Sequence, residues 1–141
     1  MKITDLKPEI VWKFFHQVTQ VPRPSKKEGK MIEFLESFAK QYKIAIKKDA
    51  AGNILMSKPA TPGKENLPTV VLQSHICLLY TSDAATVHDF DNDPIETIVD
   101  GNWLCANGTT LGADNGIGVA AELAILASDD IEHGPIECLF T

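Results

Sequence analysis

Long apolar runs are missing from this sequence, and no stretch approaches the ~20 residues that a membrane-spanning helix requires. Met1 to Pro8 contain no apolar core of the kind a secretory leader carries. Cysteine is sparse: Cys77, Cys105 and Cys138 are odd in number and widely spaced, which fits neither a disulfide framework nor a Cys-x-x-Cys zinc knuckle. A reducing cytoplasm is the expected location. Excess positive charge is also lacking, since the formal net charge is −6. That argues against nonspecific nucleic-acid binding and against an anionic membrane surface, so neither is an expected partner. There is no internal repeat and no low-complexity tract. Asp89, Asp91, Asp93 and Glu96 do not make a calcium loop, because the alternation breaks at Pro94; they read as a solvated loop.

What is present is the composition of an ordinary globular chain, 44% hydrophobic and 23% charged, with 141 residues, enough for one modest domain. Pro8 suits a first helical turn, and Ile10, Val11, Phe14, Phe15 and Val18 follow at helical spacing. That helix should end before Pro22 and Pro24. Ser25 and Glu28 have capping-box spacing, and the stripe Met31, Ile32, Leu35, Phe38, Tyr42 predicts a second helix from about Lys26 to Tyr42. Ile44-Ala45-Ile46 reads as an edge strand, and Gly52-Asn53 as a turn before Ile54-Leu55-Met56. Thr69 to Gln73 is continuously apolar, as in a sheet covered on both faces. Asp100-Gly101 suits a tight hairpin. Asn115 to Ala127 is a helix rich in small residues, and Pro135 to Thr141 a final strand with an open edge. The order predicts an α/β fold with a mixed, partly parallel sheet flanked by helices.

Two positions carry the chemistry. His75 ends the apolar strand Val70-Val71-Leu72-Gln73-Ser74. It reads either as a histidine hydrogen-bonding a neighbouring loop or as a zinc ligand. Asp114 lies in Gly112-Ala113-Asp114-Asn115-Gly116-Ile117-Gly118, where a loop becomes a helix. It is either the helix N-cap or a carboxylate bridging two cations, with the glycines allowing close backbone approach. A phosphate loop is disfavoured, because no Lys-Ser/Thr follows and Asp114 would repel phosphate. His16 and His133 carry no assignment.

Thr109 to Gly118, preceded by Val70 to His75, resembles the peptidase D family, the cytosolic non-specific or aminoacyl-histidine dipeptidases of the aminoacylase and carboxypeptidase G metallopeptidase group. Asn53-Ile54-Leu55, Val87-His88-Asp89-Phe90 and His133-Gly134-Pro135 add to the resemblance. It implies a zinc-exopeptidase-like catalytic domain that hydrolyses dipeptides, with broad or Xaa-His specificity. It implies two Zn2+ ions, replaceable by Mn2+ or Co2+, with His75 ligating one and Asp114 bridging both. A glutamate would deprotonate the attacking water, zinc would polarise the peptide carbonyl, and the Asp114–Asn115 peptide bond would be cis. A homodimer of the full-length protein is also implied.

Two departures stand out. The family pattern is His-x-Asp, whose Asp supports the ligating histidine; here the triplet is His75-Ile76-Cys77, so Cys77 occupies that position without a carboxylate. From Ile76 to about Ala85 nothing follows the family, and residues 76–85 read as a foreign segment that brings Leu78, Leu79 and Tyr80 to the metal cleft. Further, the family's Glu-Glu pair, later ligands and lid or dimerisation domain would follow Thr141. Residues 1–141 are therefore expected to be the N-terminal part of the catalytic domain, inactive alone, weak in zinc and poorly soluble. A related deacylase or tripeptidase, or a noncatalytic module retaining the fold, are the rival expectations.

Overall fold

The computed structural model describes residues 2–141. A 3-10 turn (Ile3–Asp5) leads into α1 (Glu9–Thr19) and α2 (Gly29–Tyr42). Strands β1 (Ala45–Lys48), β2 (Ile54–Lys58) and β3 (Val70–Ser74), a hairpin β4 (Thr97–Asp100) and β5 (Trp103–Ala106), helix α3 (Ala113–Ala127) and strand β6 (Ile136–Phe140) follow. The α/β class and the mixed sheet are as expected. The sheet order is β1-β2-β6-β3, with β6 antiparallel to β2 and parallel to β3. The hairpin is a separate two-stranded sheet closed by Gly101-Asn102, with Gly101 at φ +54°.

Pairing register decides which side chains share a face. Ile54 and Met56 of β2 lie beside Phe140 and Cys138 of β6, and Leu72 and Ser74 of β3 lie beside Cys138 and Phe140 on the other side. Period-two alternation therefore puts Ile136, Cys138 and Phe140 on one buried face. Helix residues close over it: Phe14, Phe15 and Val18 from α1, Met31 and Leu35 from α2, and Val119, Leu123 and Leu126 from α3. Phe14 meets Phe38 edge-to-face at 5.5 Å, which fixes α1 against α2.

Three sequence expectations need correction. Helix α2 begins at Gly29, not Lys26, because the Glu28 carboxylate turns back to accept the Lys26 N–H and no capping box forms with Ser25. Strand β3 is not covered on both faces: it is a sheet edge, and Val70 and Val71 are 53% and 58% exposed. Conversely the terminal strand does not have the open edge; β6 sits between β2 and β3, because its parallel register with β3 consumes that edge.

One of the buried polar groups is a carboxyl. Glu122 of α3 is 4% exposed and faces the same sheet surface as Ser74 and Cys138. Its Oε2 and the Ser74 hydroxyl have no hydrogen-bond partner among the described residues. Burial pushes the carboxyl up to about 7, with the nearby Ser74 hydroxyl only tempering the effect. The Cys138 thiol beside it is itself pushed up to about 12, chiefly by burial and then by Glu122, with Lys58 opposing, and so stays neutral.

The folded chain thus keeps the Glu122 proton above 4.5, where the unfolded chain loses it. Its contribution to stability is intact below pH 4.5 and lost as pH rises through about 7. The loss is on the order of 2 kcal/mol, allowing for partial solvent screening. Urea denaturation across this range is expected to show a stability difference between Glu122→Gln and the parent that grows with pH in favour of the variant. A difference independent of pH would contradict a buried protonated carboxyl.

Candidate metal centre

His75 is delivered by the parallel ladder. The Thr141 N–H donates to Ser74 O at 3.0 Å and the Ile76 N–H to Thr141 O at 2.9 Å, so the backbone is pinned on both sides of the histidine. The side chain thereby emerges at the carboxyl end of β3, the edge at which α/β sheets gather ligands.

Asp114 arrives from the other direction. Gly112 is the N-cap residue of α3 with φ +71°, a left-handed conformation that glycine adopts without penalty. Asp114 itself has φ −95° and ψ 103°, outside the helical region, and its carboxylate accepts no hydrogen bond from the α3 backbone; the side chain that does is that of Asn115. The capping reading of Asp114 is therefore corrected. The end of the helix is organised instead by Gly116 N–H donating to Gly112 O at 3.0 Å and Gly118 N–H donating to Asn115 Oδ1 at 3.2 Å. The Asp114–Asn115 peptide bond is cis.

The two elements bring His75 Nε2 to 3.4 Å from Asp114 Oδ1. Both side chains remain open to solvent, at 44% and 94%. A lone imidazole nitrogen and a carboxylate at a helix N-terminus form a donor set suited to a divalent cation. It is incomplete: among the described residues no group of three His, Cys, Asp or Glu is placed to hold a metal. Cys77 lines a cavity of about 290 Å3 with His75, Glu28, Asn53 and Thr141, but joins no such group.

A third residue, which sequence reasoning missed, ties the site together. Arg23, the only arginine in the chain, is 2% exposed. Its Nη1 donates to Ile76 O (2.9 Å) and Cys77 O (3.1 Å), and its Nη2 to Gly112 O (2.7 Å). Its one sequence signal is a lone guanidinium between two prolines, Pro22 and Pro24.

The segment 76–85 enters the fold at its start. Leu78 N–H donates to Arg23 O and Ser25 N–H to Leu78 O, and Ile76 and Leu78 are buried. Leu79 and Tyr80 are exposed instead. The acidic loop is solvated as expected, with Asp89 accepting from Asn92 and Asp91 paired to Lys27 at 2.6 Å.

No protein-family model matches the chain. It is 44% identical over 140 residues to the cytosol non-specific dipeptidase of Escherichia coli K12, covering 99% of this chain and 29% of that protein. Superposition on the crystal structure of aminoacylhistidine dipeptidase from Vibrio alginolyticus gives a TM-score of 0.97 at 46% identity, over 100% of this chain and 29% of the other. This chain is similar to those dipeptidases along its whole length. It spans 29% of their length. A fold likeness extends to a dinuclear metal-binding M20 peptidase from Bacillus subtilis, with TM-score 0.55 and 14% identity over 92% of this chain and 34% of that one.

The glycines have a local role that can be tested. A Cβ at Gly112 would collide with Leu78 and stand 2.7 Å from Arg23 Nη2, in a left-handed conformation. Gly112→Ala should therefore lower the unfolding free energy by at least about 2 kcal/mol, from left-handed strain and overpacking together. Urea denaturation checks this, and a loss under about 0.5 kcal/mol, the level of an ordinary surface change, would contradict it.

Proposed function

We propose that the full-length protein to which this chain corresponds is a metal-dependent dipeptidase of the cytosol, and that residues 1–141 are the N-terminal part of its catalytic domain. The observation that supports this most is the approach of His75 to Asp114 at 3.4 Å, in a chain 44% identical to a dipeptidase. In this reading His75 and Asp114 would be among the residues that hold the metal, with zinc the expected ion. A bound pair of cations would supply Lewis acidity toward a peptide carbonyl and acidify water.

The residues present fit as part of such a centre. Asp114 has a freely accessible carboxylate, and His75 presents its outer nitrogen beside it. The chain's own contribution is placement: β3 aims the imidazole and the glycine turn aims the carboxylate. The general base and remaining ligands would come from sequence beyond residue 141, so this segment alone is expected to be inactive and to hold zinc weakly.

Cys77 weakens the site in this reading. A carboxylate at that position would support His75, and losing such a partner typically lowers metal affinity or activity ~10–100-fold. In the full-length protein, Cys77→Asp should raise dipeptide hydrolysis or zinc affinity within that range, measured by ninhydrin release assay and zinc titration. If the Asp-restored protein hydrolysed no dipeptide, the assignment would fall. A noncatalytic module retaining the fold would instead lack a Glu-Glu pair in the sequence that follows Thr141.

A further inference from the structure

Arg23 is unusual in its partners. A guanidinium this buried normally meets a carboxylate. Here its hydrogen-bond partners are backbone carbonyls: Ile76 O and Cys77 O from the loop carrying His75, and Gly112 O from the turn carrying Asp114. The residues lie 53, 54 and 89 positions away in sequence. The planar fork suits this task, because two nitrogens in fixed relation can address two segments at once.

The surroundings are shaped to admit it. The space where a Cβ of Gly112 or Gly116 would project is taken by Nη2, at 2.7 Å in each case. Two glycines of the run that includes Asp114 thus serve as the seat of the guanidinium. The backbone of Arg23 is locked to the same loop, since its carbonyl accepts from Leu78 N–H at 2.8 Å. Burial pushes the guanidinium down to about 10, opposed by the Cys77 side chain, so it stays charged at neutral pH.

We propose that Arg23 is a positioning residue of the metal centre: one guanidinium clamps the His75 loop to the Asp114 turn and sets the separation of the two ligands. This rests on the metal-centre reading for its use, but the clamp itself is a geometric claim that can be tested without metal. Lysine cannot replace it, because its single nitrogen cannot reach both segments in a fixed relation.

The test uses NMR of the full-length protein that contains residues 1–141, where the remaining ligands are supplied. In the parent, the Arg23 Nη protons should appear as separate, slowly exchanging signals, because three carbonyls hold the fork. A single averaged signal would overturn the clamp, whatever any variant does. A nuclear Overhauser contact between the His75 ring and the Asp114 β protons should be present in the parent and in the core control Ile54→Val. It should be lost in Arg23→Lys, with the remaining amide spectrum folded. A folded Arg23→Lys that keeps this contact would overturn the proposal. Zinc titration, read as shifts at His75 and Asp114, should show at least about tenfold weaker binding in Arg23→Lys than in Ile54→Val, the scale expected when a group that orients metal ligands is lost. If zinc shifts neither residue in the parent, the metal reading fails, while the Nη signals and the ring contact still decide the clamp.

Discussion

The parallel pairing of β3 with β6 is the constraint on which the rest depends. It consumes one edge of β6, sets the register that stacks Leu72 on Cys138 and Ser74 on Phe140, and fixes where β3 stops. The ladder extends past the strand through Ser74, Thr141 and Ile76, so the residue after the strand cannot drift. A parallel pair also requires a crossover, and α3 lies in the connection from β3 to β6. Its N-terminus therefore returns to the carboxyl end of β3. The meeting of a histidine and an aspartate distant in sequence is a consequence of that topology.

A second layer converts proximity into a defined separation. Main-chain carbonyls near His75 and Asp114 turn toward the interior, and a single cationic side chain answers them. Without it, buried acceptors in two loops would need water or would open to solvent. The glycines of the turn are read most simply in this light: at Gly112 and Gly116 their absence of side chain leaves volume for the guanidinium. Glu122 is the counterexample within the same helix. It lies under the sheet with no such partner, and it makes the fold's stability pH-dependent without touching His75 or Asp114.

Much of this was legible in the residues. Helix α1, the Asp100-Gly101 hairpin and the loop-to-helix junction at Asp114 each carry local signals, in periodicity and turn chemistry, that do not depend on distant contacts. His75 at a strand end was visible for the same reason. What escaped was non-local. The apolar run at Val70-Val71 predicts burial on both faces, yet whether a strand is interior or an edge is decided by pairing, which hydrophobicity does not encode. The capping-box pattern at Ser25 and Glu28 failed because Glu28 found a nearer donor in Lys26 N–H, while the Ser25 N–H turned to Leu78 O. Arg23 was invisible because its partners are backbone atoms, and a carbonyl has no letter in a sequence.

The central claim is that His75 and Asp114 together hold metal. Anomalous X-ray diffraction at the zinc edge, on crystals of the full-length protein grown with zinc, tests it most directly. The account predicts anomalous density in contact with both His75 Nε2 and the Asp114 carboxylate. Zinc bound at other residues, with these two side chains free or turned apart, would contradict it.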